Sequence, residues 1–271
     1  AAVLTIDYGV PREFGVLALR WRSGAAASRY AIALSDDGEH WRDVRRVDRA
    51  RGDLQSHWLP DSEARFVRIS IDQPAAKVVA LAELELRAPV EANAFFAELA
   101  KAAPRGRYPR SYLGQQTYWT VLGVDGGRTA SLLSEDGVLE PVPGVGALEP
   151  FVIVDGKVLS WADARSSHTL RDGDLPMPSV HWRAGDLALD ISAFGDGAPD
   201  AAQALARYRV RNLGKDVRRV TLALAWRPFQ ANPPTQFLAH PGGASAIDAL
   251  DWDGRILTVN GAPRLRTLVA P

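Results

Sequence analysis

Seven Asp-Gly dipeptides punctuate the 271 residues, at Asp37, Asp125, Asp136, Asp155, Asp172, Asp196 and Asp253. Asp-Gly favours the positive φ angles of tight turns, so each marks a place where the chain reverses. The flanks read as strands. "RYAIALS" precedes Asp37, "PFVIVDGKVLSW" surrounds Asp155 and "ALDWDGRILTV" surrounds Asp253. These runs are rich in Val, Ile, Leu, Trp and Tyr and alternate in part with period two. Further strands are expected at 16–21, 65–71, 79–86, 117–124, 178–183, 186–194, 204–212 and 217–227. The last two read as antiparallel strands joined at Asn212-Leu213-Gly214. Short strands with frequent turn signals indicate sandwiches rather than βαβ units.

One segment breaks the pattern. "EANAFFAELAKAAP" at 91–104 spaces Phe95, Phe96, Leu99 and Ala103 as one face of a helix. Glu91 suits its first turn and Pro104 ends it. The expected fold class is therefore mostly β: two antiparallel β-sandwich domains, residues 1–90 and 105–271, joined by a linker helix at 91–104.

Composition excludes several classes of function. Lys+Arg and Asp+Glu both number 32, so no net positive charge points to nucleic acid or an anionic membrane. No apolar run approaches the length of a membrane span. Without cysteine there is no disulfide, thiolate metal site or Cys nucleophile. An extracellular or periplasmic location is favoured over a cytoplasmic one.

The acidic stretches "LSDDGEHWRDV" (34–44) and "LSEDGVLEPV" (133–142) test for cation sites. An EF-hand loop needs oxygen ligands at its first, third and fifth positions, Gly at the sixth and Glu at the twelfth. With Gly38 sixth, the first position is Ala33 and the twelfth Val44; with Gly137 sixth, the first is Leu132. Both fail, and a strand–turn–strand reading remains. Trp41 then returns toward a core, where full burial of an indole removes roughly 150–250 Å² from water.

Residues 12–87 resemble the discoidin family, also called the coagulation factor 5/8 type C domain. The likeness is carried by "REFGVLALRW" (12–21), "SRYAIALSDDGEHWRDVRRV" (28–47), "LPDSEARFVRISI" (59–71) and "VVALAELEL" (78–86). It implies a galactose-binding-type jelly roll of a kind many of whose members bind sugars as modules of carbohydrate-active enzymes. Whole domains of the family are longer, so the resemblance also implies an N-terminally incomplete domain. An exposed sheet edge there would recruit a second copy. The remainder, from "YPRSYLGQQTYWTVLGVDGG" through "WRPFQANPPTQF", resembles a region of large bacterial proteins. In those proteins a discoidin-like part precedes a β-supersandwich and then a helical six-hairpin toroid of glycosidase type. The resemblance implies that the toroid, which has no counterpart here, carries the catalytic carboxylates.

Glycoside hydrolysis needs two carboxyl groups flanking the bond. Glu135, Asp136, Glu140, Glu149, Asp163, Asp172 and Asp174 are the candidates, most of them in turn-like stretches. His40, His57, His168, His181 and His240 form no metal-ligand spacing, and no G-x-S-x-G elbow is present. His181, beside Trp182 in an expected strand, reads as a hydrogen-bonded structural histidine. Neither a metal nor a cofactor is expected. The run "RDVRRVDRARGD" at 42–53 alternates charge and reads as a solvated strand and loop.

Two aromatic-polar stretches fit sugar binding better, because Trp and Tyr stack on apolar ring faces while Asn, Gln and Arg satisfy hydroxyls. "GQQTYWTV" supplies Gln116, Tyr118 and Trp119; "WRPFQANPPTQF" supplies Arg227, Gln230 and Asn232. Both also suit a domain interface, and the structural role is favoured, because Pro-Pro stiffens a loop and Arg227 or Trp226 can close a core. His57 and Trp58 in "LQSHWLP" are candidates for a rim in the first domain, with a structural role favoured there too. The expected function is a non-catalytic, carbohydrate-associated segment of a larger glycoside-hydrolase-like protein, binding glycan weakly or supporting an adjacent catalytic domain. The alternatives are a sugar-active enzyme (epimerase, lyase or hydrolase) with an acid/base pair in the second domain, and a cell-surface adhesion module.

Overall fold

The computed structural model of the chain describes residues 2–72, 78–88, 90–238 and 242–268. His240 lies outside the described residues. The chain divides into two compact units, Ala1–Phe95 and Phe96–Pro271.

Unit 1 is a five-stranded antiparallel assembly in the order β3-β2-β4-β1-β5. Its strands are β1 (Ala2–Trp21), β2 (Tyr30–Ser35), β3 (Arg42–Val47), β4 (Leu54–Ile71) and β5 (Leu81–Arg87). β1 and β4 are long, and their register shifts between Asp7 and Arg12 and again between Phe14 and Val16. Such bulges bend a strand. Side chains from both halves of β1 and β4 then meet in one core, where Leu17, Leu19 and Trp21 lie with Ile32, Leu34, Val67 and Ile69. Over Ala2–Asp7, β1 pairs with β4 alone, because β5 joins β1 only from Val16 to Trp21.

Helix α1 (Ala92–Ala102) follows. Its residues Phe96, Ala97 and Ala100 pack with Tyr112 and Phe229 of unit 2. The division between units therefore falls inside the expected linker helix, because its apolar face is spent on the second unit.

Unit 2 contains two sheets with a common core. The first has β6 (Trp119–Leu122), β7 (Ser131–Ser134), β8 (Leu139–Glu140), β9 (Ala147–Val154) and β10 (Lys157–Leu159). The second has β11 (Arg165–Arg171), β12 (Leu175–Ala184), β13 (Leu187–Asp196) and β14 (Gln203–Asn212) in sequential order. Leu133, Leu148 and Val152 from the first meet Trp182, Leu189 and Ile191 from the second. A three-stranded meander, β15 (Val220–Arg227) excepted, closes the described chain: β16 (Leu250–Trp252), β17 (Ile256–Val259) and β18 (Ala262–Arg266). β15 instead pairs with β9 along its whole length. The expected hairpin at Asn212-Leu213-Gly214 is thus absent. β14 pairs with β13, Leu213 N–H bonds the Asp186 carbonyl at 2.7 Å, and the chain crosses to the other sheet. Periodicity shows two strands but not which sheet each joins.

The Asp-Gly signal has a common geometric outcome. The glycine of all seven dipeptides has positive φ, and at Asp155 the aspartate does too, as a two-residue hairpin turn requires; Asp172 also has positive φ, in the longer loop before Leu175. Asn260-Gly261 makes the same two-residue turn between β17 and β18. Gly137 is constrained twice over: φ is +80° and a Cβ there would collide with the Ile191 side chain in the core. Gly137→Ala combines left-handed strain with overpacking, and is expected to cost unit 2 about 2–4 kcal/mol in urea unfolding. Gly156→Ala, at a turn with open space, is expected to cost only the backbone term of roughly 1–2 kcal/mol.

Candidate functional site

A groove of about 200 Å³ opens where β6 and β7 of the first sheet of unit 2 approach β11 and β12 of the second. Tyr118, Trp119, Glu135, His168 and Ser179 are among its lining residues. Tyr118 is held by its backbone: its carbonyl accepts Glu135 N–H at 2.8 Å and its own N–H bonds Glu135 Oε1 at 3.3 Å. The phenol ring stays free, with the residue 61% exposed. His168 Nε2 donates to the Glu135 carbonyl at 2.9 Å, which places its proton on Nε2.

Glu135 and Asp136 form the tip of the β7–β8 turn, and Arg110 holds both. Its Nε and Nη2 reach the two Asp136 oxygens at 2.7 and 2.5 Å, and Nη1 lies 3.5 Å from Glu135 Oε1. The guanidinium also lies over the Trp161 ring, 4.8 Å from its centroid. Ser134 Oγ accepts the N–H groups of Asp136 and Val138 and closes the turn. Burial raises the Asp136 carboxyl above the usual range although Arg110 pulls it down.

Two more carboxyl groups lie inside unit 2. Pairing of Leu139 with Leu148 puts Glu140 and Glu149 on the sheet face opposite the main core, in diagonal register. Glu140 is 1% exposed and accepts the backbone N–H of Asn232 at 3.0 Å. Glu149 bonds Arg227 Nη1 at 2.6 Å. That guanidinium lies over the ring of Phe229 at 4.5 Å and near those of Tyr108 and Phe151. One oxygen of each carboxyl has no partner among the described residues. Burial pushes Glu149 up to about 7 against the pull of Arg227, and burial raises Glu140 as well.

These positions settle where each candidate stands. Tyr118 and Trp119 share the groove, and Gln116 is exposed two residues before Tyr118. Arg227, Gln230 and Asn232 are part of the interior: Gln230 Oε1 accepts Gly144 N–H at 3.2 Å and its backbone N–H bonds the Gly243 carbonyl. The Asn232 carbonyl accepts Gly243 N–H at 2.8 Å. In unit 1, His57 Nε2 lies 2.6 Å from the Tyr30 hydroxyl, and burial lowers its imidazole to about 4. Trp58 Nε1 donates to the Val90 carbonyl at 3.2 Å. His181 bonds Asp190 at 2.8 Å. Sequence reasoning passed over Arg110 and treated His168 only as a possible metal ligand; neither belongs to a recognisable spacing, and both act through a turn 25 or more residues away.

The acidic stretch at 36–39 is a turn. Asp37 Oδ1 accepts the N–H groups of Glu39 and His40 at 2.8 Å each, Oδ2 pairs with His40 Nδ1, and these bonds hold the carboxyl far below its usual range. Trp41 is half-buried rather than central: its Nε1 bonds the Gly38 carbonyl and Arg68 stacks on its ring at 3.6 Å. No group of three metal-ligating side chains exists among the described residues.

Residues 2–84 match the family model of the F5/8 type C domain. This part of the chain is similar to F5/8 type C domains. Among solved structures, the chain is similar to CpGH89CBM32-5 from Clostridium perfringens, in complex with GalNAc-β-1,3-galactose. Identity there is 21%, coverage 32% of this chain and 65% of that one, and the TM-score 0.29. It is also similar to chitosan-binding module 2 of a chitosanase/glucanase from Paenibacillus sp. IK-5, in complex with chitotriose, at 25% identity, 31% and 67% coverage and TM-score 0.29. The C-terminal domain of a chitobiase from Bacteroides fragilis gives 21%, 31%, 61% and 0.28. The chain spans 65% of the first of these structures. No curated protein matches it. The F5/8 type C match ends at residue 84, before the groove.

Glu149 gives a pH test. Its folded value, about 7, lies above the ordinary 4.5, so between these the folded state binds more protons and stability falls as pH rises. Its contribution is full below about pH 4.5 and lost above about pH 7. The loss is on the order of 3 kcal/mol at most. Urea unfolding of unit 2 at pH 5 and pH 8 is expected to show this decline, and Glu149→Gln to flatten it.

Proposed function

We infer that the chain is a non-catalytic, carbohydrate-binding segment of a larger glycoside-hydrolase-like protein, with the Tyr118–Trp119 groove of unit 2 as a glycan contact. One observation carries this reading: an exposed tyrosine and its tryptophan neighbour line a groove whose one carboxylate, Glu135, is held by Arg110 and by a backbone N–H. Aromatic faces stack on sugar rings, and the Thr120 and Ser179 hydroxyls match sugar hydroxyls in both donor and acceptor capacity. The F5/8 type C-like part, residues 2–84, is consistent with such a role and is a second candidate for sugar contact.

The groove lacks what glycoside hydrolysis needs. Two carboxyl groups must flank the bond, one of them free to ionise beside the substrate. Asp136 turns away to Arg110, while Glu140 and Glu149 are buried on the other face of the sheet. Asp163 closes a capping box with Ser160, and Asp172 sits in a hairpin turn with φ of 55°. A proton held near neutrality, as on Glu149, is common in catalytic acids, but here the group is 3% exposed and bonded to Arg227, which itself lies over the Phe229 ring.

An array of neutral oligosaccharides, followed by titration calorimetry on the strongest binder, tests the reading. Tyr118→Ala is expected to weaken binding about tenfold, or ~1.4 kcal/mol, with the fold intact. The chain is expected to release no product from any bound oligosaccharide. Turnover abolished by Glu135→Gln would replace this reading with the enzymatic one.

A further inference from the structure

The outer face of the four-stranded sheet in unit 2 gathers five arginines, four of which have no ion-pair partner among the described residues. The strand register aligns Arg165, Arg183, Ala188 and Arg211 in one cross-strand row. The next row is Ser167, His181, Asp190 and Arg209, and the third is Thr169, Ser179, Ser192 and Arg207. The alternate residues, Val180, Trp182, Leu189, Ile191 and Val210, belong to the core, so these three rows face away from it. All five arginines are exposed. Asp190 is the one acid in the rows, and it is taken by Arg211 at 2.8 Å and His181 at 2.8 Å. Arg165, Arg183, Arg207 and Arg209 make no side-chain hydrogen bond or ion pair with the described residues.

This arrangement costs stability. Like charges placed directly opposite, as Arg165 is to Arg183, repel. The chain carries as many acids as bases, yet the nearby acids Asp172, Asp186 and Asp196 sit in turns and at strand ends. Arg207, Arg209 and Arg211 recur along β14 at roughly 6.8 Å, while adjacent strands stand ~4.8 Å apart. The result is an array of arginines on one face, with the small hydroxyls of Thr169, Ser179 and Ser192 beside Arg207 in its third row.

We propose that this face binds an anionic polysaccharide, a chain bearing carboxylate or sulfate groups. Guanidinium forks pair two-to-two with the oxygens of both groups, and the hydroxyls between them suit sugar hydroxyls. A single-stranded nucleic acid would need aromatic platforms for its bases. The three rows contain no Trp, Tyr or Phe, and their one imidazole, His181, is bonded to Asp190 and Thr169. The site is separate from the groove of the proposed function and does not rest on it, although Ser179 borders both.

Calorimetric or electrophoretic titration with polygalacturonate, heparin, dextran and oligo-dT at about 50 mM NaCl tests the proposal. Polygalacturonate or heparin is expected to bind, carboxylate or sulfate preference being read from which is tighter, and dextran not to bind this face. Arg165→Gln/Arg207→Gln/Arg209→Gln is expected to weaken that binding about tenfold or more. Arg22→Gln/Arg49→Gln/Arg51→Gln, which removes equal charge from exposed positions of unit 1, is expected to leave it unchanged. Should the first triple fail to fold, Arg207→Gln/Arg209→Gln is read in its place. Tyr118→Ala is expected to keep polyanion binding, and the arginine triple to keep neutral-oligosaccharide binding, so each site fails alone. The proposal is overturned if neither polyanion binds, if both triples weaken binding equally, if Tyr118→Ala abolishes it, or if oligo-dT binds as tightly.

Discussion

The Arg110 guanidinium, held between the Asp136 carboxylate and the Trp161 ring, is the contact on which unit 2 arranges its groove. Both partners are largely withdrawn from water, so each charge depends on the other. Removing one partner of such a pair leaves an uncompensated buried charge, typically at a cost of about 3–5 kcal/mol. The pair fixes the Glu135–Asp136 turn, the turn fixes the Tyr118 backbone, and the phenol ring is left to face solvent. The Gly137 conformation serves the same turn, because only glycine leaves room for Ile191 beneath it. One ion pair thereby links the core to an exposed aromatic surface.

The face of the first sheet away from the main core is also interior, and this changes what its polar residues are for. Tyr108, Tyr112 and Phe229 cluster with Phe96 beside the Arg227–Glu149 pair. Carboxyl groups there lose hydration without full compensation, which is why Glu149 holds its proton to near neutrality despite an arginine in contact. Perturbed acidity of this kind often marks catalysis. In this chain it follows from covering a sheet face with aromatic side chains, and the Glu149 carboxyl is buried away from the surface that a ligand can reach.

Much of the architecture was legible in sequence because it rests on local chemistry. Asp-Gly needs positive φ, and every one of these glycines has it. Alternation along 186–194 and 204–212 gave real strands, and the break at 91–104 gave a real helix, observed at Ala92–Ala102. What escaped depends on contacts distant in sequence. Gln230 reads as a surface donor, yet its partner Gly144 is 86 positions away. His57 reads as structural more than as a rim residue, but its partner, the Tyr30 hydroxyl 27 positions away, is not visible in the sequence. β15 follows β14 closely but pairs with β9, a choice that local pattern cannot express. The arginines of "ARYRVRN" are plain in sequence, but only the register reveals that they share a face with Arg165 and Arg183.

That last point bears on how a chain of zero net charge can recognise an anion. Net charge governs long-range behaviour, but at physiological salt fields decay within about 8 Å. A ligand lying on the β11–β14 face therefore meets the guanidinium rows and little of the compensating acid, which the fold has moved to turns and strand ends. Pleating supplies the separation: with period two, each "Arg-x-Arg" step sends one side chain out and the next into the core. The same alternation that buries Tyr208 and Val210 thus presents Arg207, Arg209 and Arg211 together. Charge balance in the composition and charge concentration on a surface are compatible because the sheet sorts residues by parity.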